Sequence, residues 1–242
     1  MKPDFIIPHW PAPPNVRTIQ TTRRGGVSAA PYASLNLGDH VGDDPAAIAE
    51  NRRLLRTHLP AEPLWLKQVH GTRCLDAAMA HPGDEADAAI ARQPGVVCAV
   101  LTADCLPVLF CDIAGTIVAA AHAGWRGLVA GILEQTVAAM NVPADQLLAW
   151  LGPAIGPQHF EVGEDVRMAF LNQNPHSEFA FSPKTNGKWL CDLYALARFR
   201  LGAMSISRIT SADFCTVGDP DRFFSYRRDG TTGRMASLIW RE

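Results

Sequence analysis

Two histidines and one cysteine have the side chains best suited to bind a metal. His70, Cys105 and His122 are separated by 35 and 17 residues, so only tertiary folding can bring them together. A thiolate and two imidazoles suit Zn²⁺, and three protein ligands leave a fourth position open for water or substrate. Zinc held in this way lowers the pKa of its water and polarises an incoming oxygen. The three residues therefore predict a zinc site, in which copper is an alternative metal.

The same side chains allow two other interpretations. Free cysteine is among the most buried residue types, so a structural thiol beside two satisfied histidines fits the pattern equally well. Cys105 also suits a nucleophile, with His70 or His122 as its base. Asp104, directly before Cys105, is a candidate general base or orienting group, or simply an acceptor within its own turn. The residues alone leave these alternatives open.

Short, mostly apolar segments must position these three side chains. The sequence predicts strands at Leu64–Val69, Val96–Leu101, Val108–Phe110, Thr116–Ala121 and Leu147–Leu151. His70 follows the first of them, Cys105 lies in the loop after the second, and His122 follows the fourth. Because side chains at strand ends of α/β sheets converge outside the sheet, we expect an active site there.

Amphipathic segments predict four helices around these strands. They are Pro45–His58, Leu128–Met140, Glu164–Leu171 and Asp192–Leu201. Strands and helices are interspersed without strict βαβ alternation, which favours an α/β fold with a mixed sheet. No segment has the composition of a linker, so we expect a single domain over residues 1–242.

Glycine-bearing and basic loops are candidates for binding an anionic substrate. Residues 122–127 pass from a predicted strand to a predicted helix, where backbone N–H groups can hold an anion, although the glycines equally suit a tight turn. Arg23 and Arg228 each belong to an arginine pair beside a glycine. Such pairs are usually solvated turns, but a guanidinium is a planar fork that matches phosphate.

Composition excludes several classes of protein. The chain has 22 basic and 24 acidic residues, and a net charge of −2 gives no reason to expect nucleic-acid or membrane binding. Its eight His and six Cys form no C-x-x-C, H-x-H or H-x-x-x-H, which excludes zinc fingers, thioredoxin-like pairs and zincins. The N-terminus lacks the apolar core of a signal peptide, so we expect a cytoplasmic protein with reduced thiols.

Several segments in order resemble one family. They are Thr21–Ser28, Ser34–Asp44, Gln68–Gly71, Thr102–Val108, His122–Gly127, Gly152–Pro157, Phe160–Gly163 and Phe223–Gly230. Together they resemble the YfiH-type laccase-domain family of purine nucleoside phosphorylases, formerly labelled multicopper polyphenol oxidases. The resemblance extends from about residue 16 to the C-terminus.

This resemblance implies a fold, a reaction and a set of site residues. It implies the YfiH-like fold, with His70, Cys105 and His122 as metal ligands and Arg228 in the active site. It implies phosphorolysis of adenosine, inosine and methylthioadenosine, together with adenosine deamination, so that a nucleoside and phosphate are the expected partners. Arg23 and Asn36 match family segments and are carried over as substrate or phosphate contacts. A homodimer is compatible with the sequence, which itself favours no oligomeric state.

Three other functions compete with phosphorolysis. A multicopper laccase needs a trinuclear cluster, usually built from H-x-H pairs, and eight His without such pairs do not fit it. A single copper replacing zinc would leave weak polyphenol oxidation. The second competitor is a Cys105-dependent amidase or editing hydrolase acting on a peptidoglycan precursor, and the third is a metal- or nucleotide-binding protein without activity.

Deamination would use Asp104 as a proton shuttle, although the zinc-deaminase signature H-x-E…P-C-x-x-C is absent.

Overall fold

Thirteen strands and six α-helices are present in the part of the chain that the computed structural model describes, residues 3–211 and 214–242. The strands are β1 Phe5–Ile6, β2 Val16–Thr21, β3 Cys74–Asp76, β4 Ala88–Ala91, β5 Cys98–Thr102, β6 Leu106–Asp112, β7 Val118–Ala123, β8 Leu147–Leu151, β9 Glu161–Val162, β10 Phe181–Pro183, β11 Trp189–Cys191, β12 Arg208–Ser211 and β13 Met235–Arg241. The helices are α1 Pro45–Arg56, α2 Trp125–Ala130, α3 Ile132–Met140, α4 Glu164–Gln173, α5 Leu193–Ala203 and α6 Tyr226–Asp229. Short 3₁₀ turns occupy Ala144–Gln146, Pro175–Ala180 and Thr185–Gly187.

Two large sheets form the centre of the molecule. The six-stranded sheet has the order β12-β8-β6-β7-β4-β3, with parallel pairs at its two edges and antiparallel pairs between them. The four-stranded sheet, β1-β2-β13-β5, is antiparallel throughout. A small sheet of β10-β11-β9 lies beside them. The mixed α/β fold expected from the sequence is therefore confirmed.

Alternating side chains on the strands divide the core into layers. On β6, Val108 and Phe110 pack with the helices on the outer face, whereas Leu109 and Cys111 pack between the two large sheets. On the far face of the four-stranded sheet, Leu238 packs with the cluster that contains Leu55 of α1. Because these strands are covered on both faces, their sequences are continuous apolar runs.

Capping residues set the ends of two predicted helices. Asp44 accepts a hydrogen bond from Ala46 N at 3.0 Å, so α1 begins at Pro45. Asp192 caps α5 in the same way, through Ala195 N at 2.9 Å. The predicted helices Pro45–His58, Glu164–Leu171 and Asp192–Leu201 are confirmed, with ends that differ by one or two residues.

The predicted helix Leu128–Met140 is wrong in one respect, because two helices occupy this segment. α2 ends at Ala130 and α3 begins at Ile132, with Gly131 between them at a φ of 102°. Glycine reaches this left-handed conformation at no steric cost, and it interrupts the helix there.

The predicted strand Leu64–Val69 is also wrong. Leu64 forms only an isolated bridge with Cys98. Further along, the Gln68 side chain donates to Leu101 O at 2.8 Å and accepts from Leu101 N at 2.7 Å. Since a side-chain amide occupies the backbone groups that a neighbouring strand would use, no ladder develops along this edge of β5.

The other predicted strands are confirmed with shifted ends. Val96–Leu101 and Thr116–Ala121 correspond to β5 and β7, which lie one or two residues further along, and Val108–Phe110 lies inside the longer β6. β8 matches its prediction residue for residue. A single domain over 1–242 stays a prediction. In the described parts of the chain, no helix combines the length and apolar character that crossing a membrane requires.

Candidate active site

The structure brings His70, Cys105 and His122 together, the last two near strand ends and His70 in the segment between α1 and β3. Cys105 lies in the turn between β5 and β6, and His122 is the penultimate residue of β7. β6 and β7 pair through Leu106 and Ala123, which places the two side chains side by side. The ligand-type atoms of the three residues all lie within 4.8 Å of one another, and Cys105 Sγ is 3.8 Å from His70 Nε2. We call these three residues the metal wall.

Gly124 permits this close approach. A Cβ atom at this position would lie 2.8 Å from Cys105 Sγ and 3.0 Å from His70 Cδ2. Any larger residue would therefore separate two of the three ligands. Gly124, the first glycine of segment 122–127, thus leaves the space that the metal wall occupies. α2 begins immediately after it.

Asp87, which the sequence analysis missed, is the acceptor that organises the metal wall. It is fully buried directly before β4, and its Oδ1 accepts from His122 Nδ1 at 2.8 Å and from His70 N at 2.9 Å. Its Oδ2 accepts from Gly71 N at 2.7 Å and Val69 N at 3.1 Å. These bonds hold His70 at a φ of 60°, a left-handed conformation that histidine adopts more readily than most residues. The sequence feature that could have identified Asp87 is an acidic residue placed directly before a wholly apolar strand.

Charge at the metal wall favours a thiolate beside an imidazolium. Burial opposes ionisation of Cys105, but the charges and hydrogen bonds of His122 and His70 outweigh it and lower the pKa of the thiol to about 6. Burial likewise opposes protonation of His122, yet Cys105 and Asp87 raise its pKa to about 9. Burial also disfavours the Asp87 carboxylate, but His122 and the backbone N–H groups lower its pKa below the usual value.

The metal wall fits a tetrahedral ion. Zn–S bonds of about 2.3 Å and Zn–N bonds of about 2.0 Å put sulfur and nitrogen about 3.5 Å apart in a tetrahedral site. Cys105 Sγ and His70 Nε2 are separated by 3.8 Å. Because Asp87 engages Nδ1 of His122, Nε2 of that ring is the nitrogen left for a ligand bond. The donor set thus fits zinc or copper, and all three of its residues line a cavity.

A cavity of about 580 Å³ opens in front of the metal wall, a volume within the range of small-molecule sites. Its side chains include a group of cations that we call the arginine wall: Arg126, Arg227 and Arg234. The imidazole of His40 lines the cavity beside them. Apolar and aromatic side chains complete the lining: Leu101, Trp125, Ile155, Phe160, Leu193 and Tyr226. The site therefore offers a ligating group, a basic surface and surfaces for a planar apolar ring.

Asp104 lines the cavity, but both of its carboxylate oxygens have protein partners. Oδ1 accepts from Thr216 Oγ1 at 2.5 Å and Oδ2 accepts from the backbone N of Arg227 at 2.6 Å. Its φ of 95° lies in the left-handed region, where a non-glycine residue is strained. The geometry gives Asp104 a positioning role between the metal wall and the C-terminal segment. Its predicted role as a general base stays a prediction.

Three other predicted contacts lie outside the cavity lining. Arg228 donates from Nε and Nη2 to Asp229, and from Nη1 and Nη2 to backbone oxygens of Thr216 and Phe223. Arg23 donates to Ala33 O and Pro220 O and stacks over Phe224 at 4.7 Å. Asn36 is fully buried. Their predicted roles at phosphate or substrate stay predictions, whereas Arg234, which the sequence analysis did not select, lines the cavity.

Comparison with known proteins gives consistent results over nearly the whole chain. Residues 17–242 match the family described as multi-copper polyphenol oxidoreductase laccase. The chain is 54% identical over 237 residues to a Pseudomonas aeruginosa protein named purine nucleoside phosphorylase, and 52% identical over 239 residues to purine nucleoside phosphorylase YfiH of Escherichia coli. Both alignments cover 98% of each chain. A crystal structure of a Neisseria meningitidis protein superposes with a TM-score of 0.95 at 53% identity, covering 98% of this chain and 99% of the other.

Proposed function

The chain belongs to the YfiH-type laccase-domain family, and from that premise we propose that it is a metal-dependent purine nucleoside phosphorylase. The proposed substrates are adenosine, inosine or methylthioadenosine together with orthophosphate. Relatives that share about half of its residues carry the phosphorylase name, which supports this assignment.

One observation supports the reaction directly: the metal wall and the arginine wall face the same cavity. Asp104 is the carboxylate among the lining residues, and its oxygens are already occupied by Thr216 and Arg227. Excess positive charge in a partly enclosed site favours an anionic co-substrate such as phosphate. The aromatic rings of Trp125 and Tyr226 offer surfaces on which a purine can stack.

Phosphorolysis assigns a task to each part of the cavity. A phosphate oxygen forms a bond to C1′ of the ribose while the bond from C1′ to the purine nitrogen breaks, and the departing base takes up a proton. The cations hold phosphate beside C1′, and the apolar rings hold the base. When bound, zinc supplies a Lewis acid that polarises a phosphate or water oxygen.

The finer assignments are proposals as well. Zinc is the proposed metal, held by His70, Cys105 and His122, with copper as the alternative. Adenosine deamination, in which water adds at C6 and ammonia leaves, is the proposed side activity of the same cavity. A cytoplasmic location is also proposed.

A laccase with a trinuclear copper cluster has no support in the described residues. Within residues 3–211 and 214–242, the metal wall is the one group of three or more His, Cys, Asp or Glu side chains placed to hold an ion. A single copper at this wall would allow only weak polyphenol oxidation. A Cys105-dependent amidase uses the same thiol without a metal, so metal content separates it from the phosphorylase.

The test is to incubate purified protein with adenosine in the presence and absence of phosphate and to follow ribose 1-phosphate, adenine and inosine. We expect phosphate-dependent release of adenine and ribose 1-phosphate, about one zinc per chain, and loss of both in His70→Ala. The matched control is His81→Ala, because His81 is exposed and lies outside the cavity lining. No cleavage at any phosphate concentration contradicts the proposal. Hydrolysis of a peptidoglycan precursor that resists chelators but stops on thiol alkylation would identify the amidase instead.

A further inference from the structure

We propose that Arg234, with His40 beside it, forms the subsite that binds the phosphate anion. This inference rests on the proposed function for the identity of the anion. It assigns phosphate to a residue 6 positions beyond Arg228, the arginine that the family resemblance selects.

Arg234 is held in place without being neutralised. Its Nη1 donates to Thr232 O and Gly233 O, both at 3.0 Å, which fixes the guanidinium at the cavity surface. Across residues 3–211 and 214–242, it forms no ion pair with a carboxylate. Burial lowers the pKa of Arg234 because desolvation disfavours its charge. A half-buried cation without a counterion is stabilised by any anion that enters the cavity.

Arg228 has the opposite surroundings. Its guanidinium forms a two-pronged pair with Asp229, at 2.8 Å from Nε and 2.7 Å from Nη2. Nη1 donates to Thr216 O at 2.8 Å, and Nη2 also donates to Phe223 O at 3.0 Å. All three nitrogens therefore have acceptors, and binding phosphate would require breaking these bonds.

A glycine and a buried asparagine position Arg234. A Cβ on Gly38 would lie 2.7 Å from Arg234 Cγ and 3.5 Å from His40 Cε1, so glycine provides the space in which these two side chains meet. Asn36 Oδ1 accepts from both Gly38 N and Arg234 N at 2.9 Å. Asn36 thus joins the two segments, which gives it a positioning role behind the subsite.

The Arg234 subsite lies in the same cavity as the metal wall. Arg234 and Cys105 line the same cavity, and the charges of Cys105 and Asp104 act on the Arg234 guanidinium. An anion bound by Arg234 therefore shares the cavity with the metal wall and with any ribose held there.

The experiment measures phosphate in two independent ways. Initial rates are recorded against phosphate concentration at saturating adenosine, and binding of phosphate alone is followed as the rise in melting temperature of the zinc-loaded protein. For Arg234→Met we expect the KM for phosphate to rise about 100-fold and the thermal shift to disappear, with zinc content and the KM for adenosine unchanged. Arg234→Lys retains the positive charge but lacks the planar guanidinium fork. Its KM for phosphate should therefore lie between those of the wild type and Arg234→Met.

Two further variants separate a local effect from misfolding. Gly38→Ala displaces Arg234 without altering any charge and should raise the KM for phosphate about tenfold. Arg198→Met, on the exposed face of α5 and outside the cavity lining, is the matched control and should behave like the wild type. If Arg234→Met fails to fold, Arg234→Lys and His40→Ala test the same subsite.

The outcomes distinguish this inference from the proposed function. If Arg228→Met abolishes phosphate dependence while Arg234→Met retains it, the subsite is overturned and the phosphorylase stands. If the wild type cleaves no nucleoside but binds phosphate in an Arg234-dependent way, the subsite stands and the phosphorylase fails. If phosphate produces no thermal shift in the wild type and its KM is the same in Arg234→Met, the subsite is wrong.

Discussion

Two carboxylates organise the two walls of the cavity, Asp87 from behind the metal wall and Asp104 from within the cavity lining. Asp87 is 0% exposed and Asp104 is 9% exposed. The side-chain partners of Asp87 are three backbone N–H groups and His122, which lie between 16 and 35 residues away in the sequence. Those of Asp104 are Thr216 and Arg227, which lie 112 and 123 residues away.

The difference shows how one site is assembled from two kinds of structure. Asp87 joins segments that belong to or border one sheet, so the metal wall is fixed by strand pairing and a buried hydrogen-bond centre. Asp104 joins the turn before β6 to α6, so the position of Arg227 in the arginine wall depends on a contact between segments that do not belong to one sheet. We therefore expect damage to the metal wall to cost more stability than damage to the arginine wall.

The largest effect is expected for Asp87→Ala. This change leaves three backbone N–H groups and the His122 ring without their acceptor in a fully buried position. The free energy of unfolding should fall by about 3–5 kcal/mol, and zinc affinity by at least about 10–100-fold. Urea unfolding and zinc titration measure the two effects.

Glu85→Ala is the control for that comparison. Glu85 lies two residues away and forms an exposed pair with Lys67, so its removal should leave stability and zinc affinity nearly unchanged. Equal losses in the two variants would contradict the role assigned to Asp87. Since the pKa of Asp87 is lowered by folding, its stabilising effect is present above its unfolded pKa and is lost as the pH falls through the folded value.

A smaller and more selective effect is expected for Gly124→Ala. The added methyl group would meet Cys105 Sγ at 2.8 Å, which forces the ligands of the metal wall apart. Stability should fall by about 1–3 kcal/mol and zinc affinity by about tenfold. Gly202→Ala, within α5 with no atom within 4 Å of the new methyl, should instead gain up to about 1 kcal/mol. Unchanged zinc affinity in Gly124→Ala would contradict this prediction, because it would show that the metal wall still binds zinc when its side chains are moved apart.

The same contrast explains which parts of the molecule the sequence could predict. β8 and the clustering of His70, Cys105 and His122 were predictable, because apolar runs mark buried strands and Cys and His are chemically distinctive residues. The absence of a strand at 64–69 was not predictable, because the Gln68 side-chain amide takes the hydrogen bonds of Leu101 that a strand there would otherwise form. Arg234 could not be separated from Arg228, since its position depends on Asn36, which is 198 residues away.

Asp104→Asn should have the smallest effect on stability and tests whether the two walls are independent. The amide can still accept from Thr216, but its NH₂ group would face the backbone N of Arg227, so we expect a loss of about 1–2 kcal/mol. Zinc affinity should change by less than about twofold, because Asp87 and the strand ends continue to hold the metal ligands.

If Asp104 only positions the C-terminal segment, the KM for phosphate rises while kcat stays within about threefold, since Arg227 belongs to the arginine wall. If Asp104 is instead a general base, kcat falls by at least about 100-fold and the acidic limb of its pH profile disappears. Steady-state kinetics between pH 5 and pH 9, with zinc content measured on the same samples, therefore distinguish the two roles. Either the Asp104 carboxylate positions the arginine wall, or it transfers a proton as a general base.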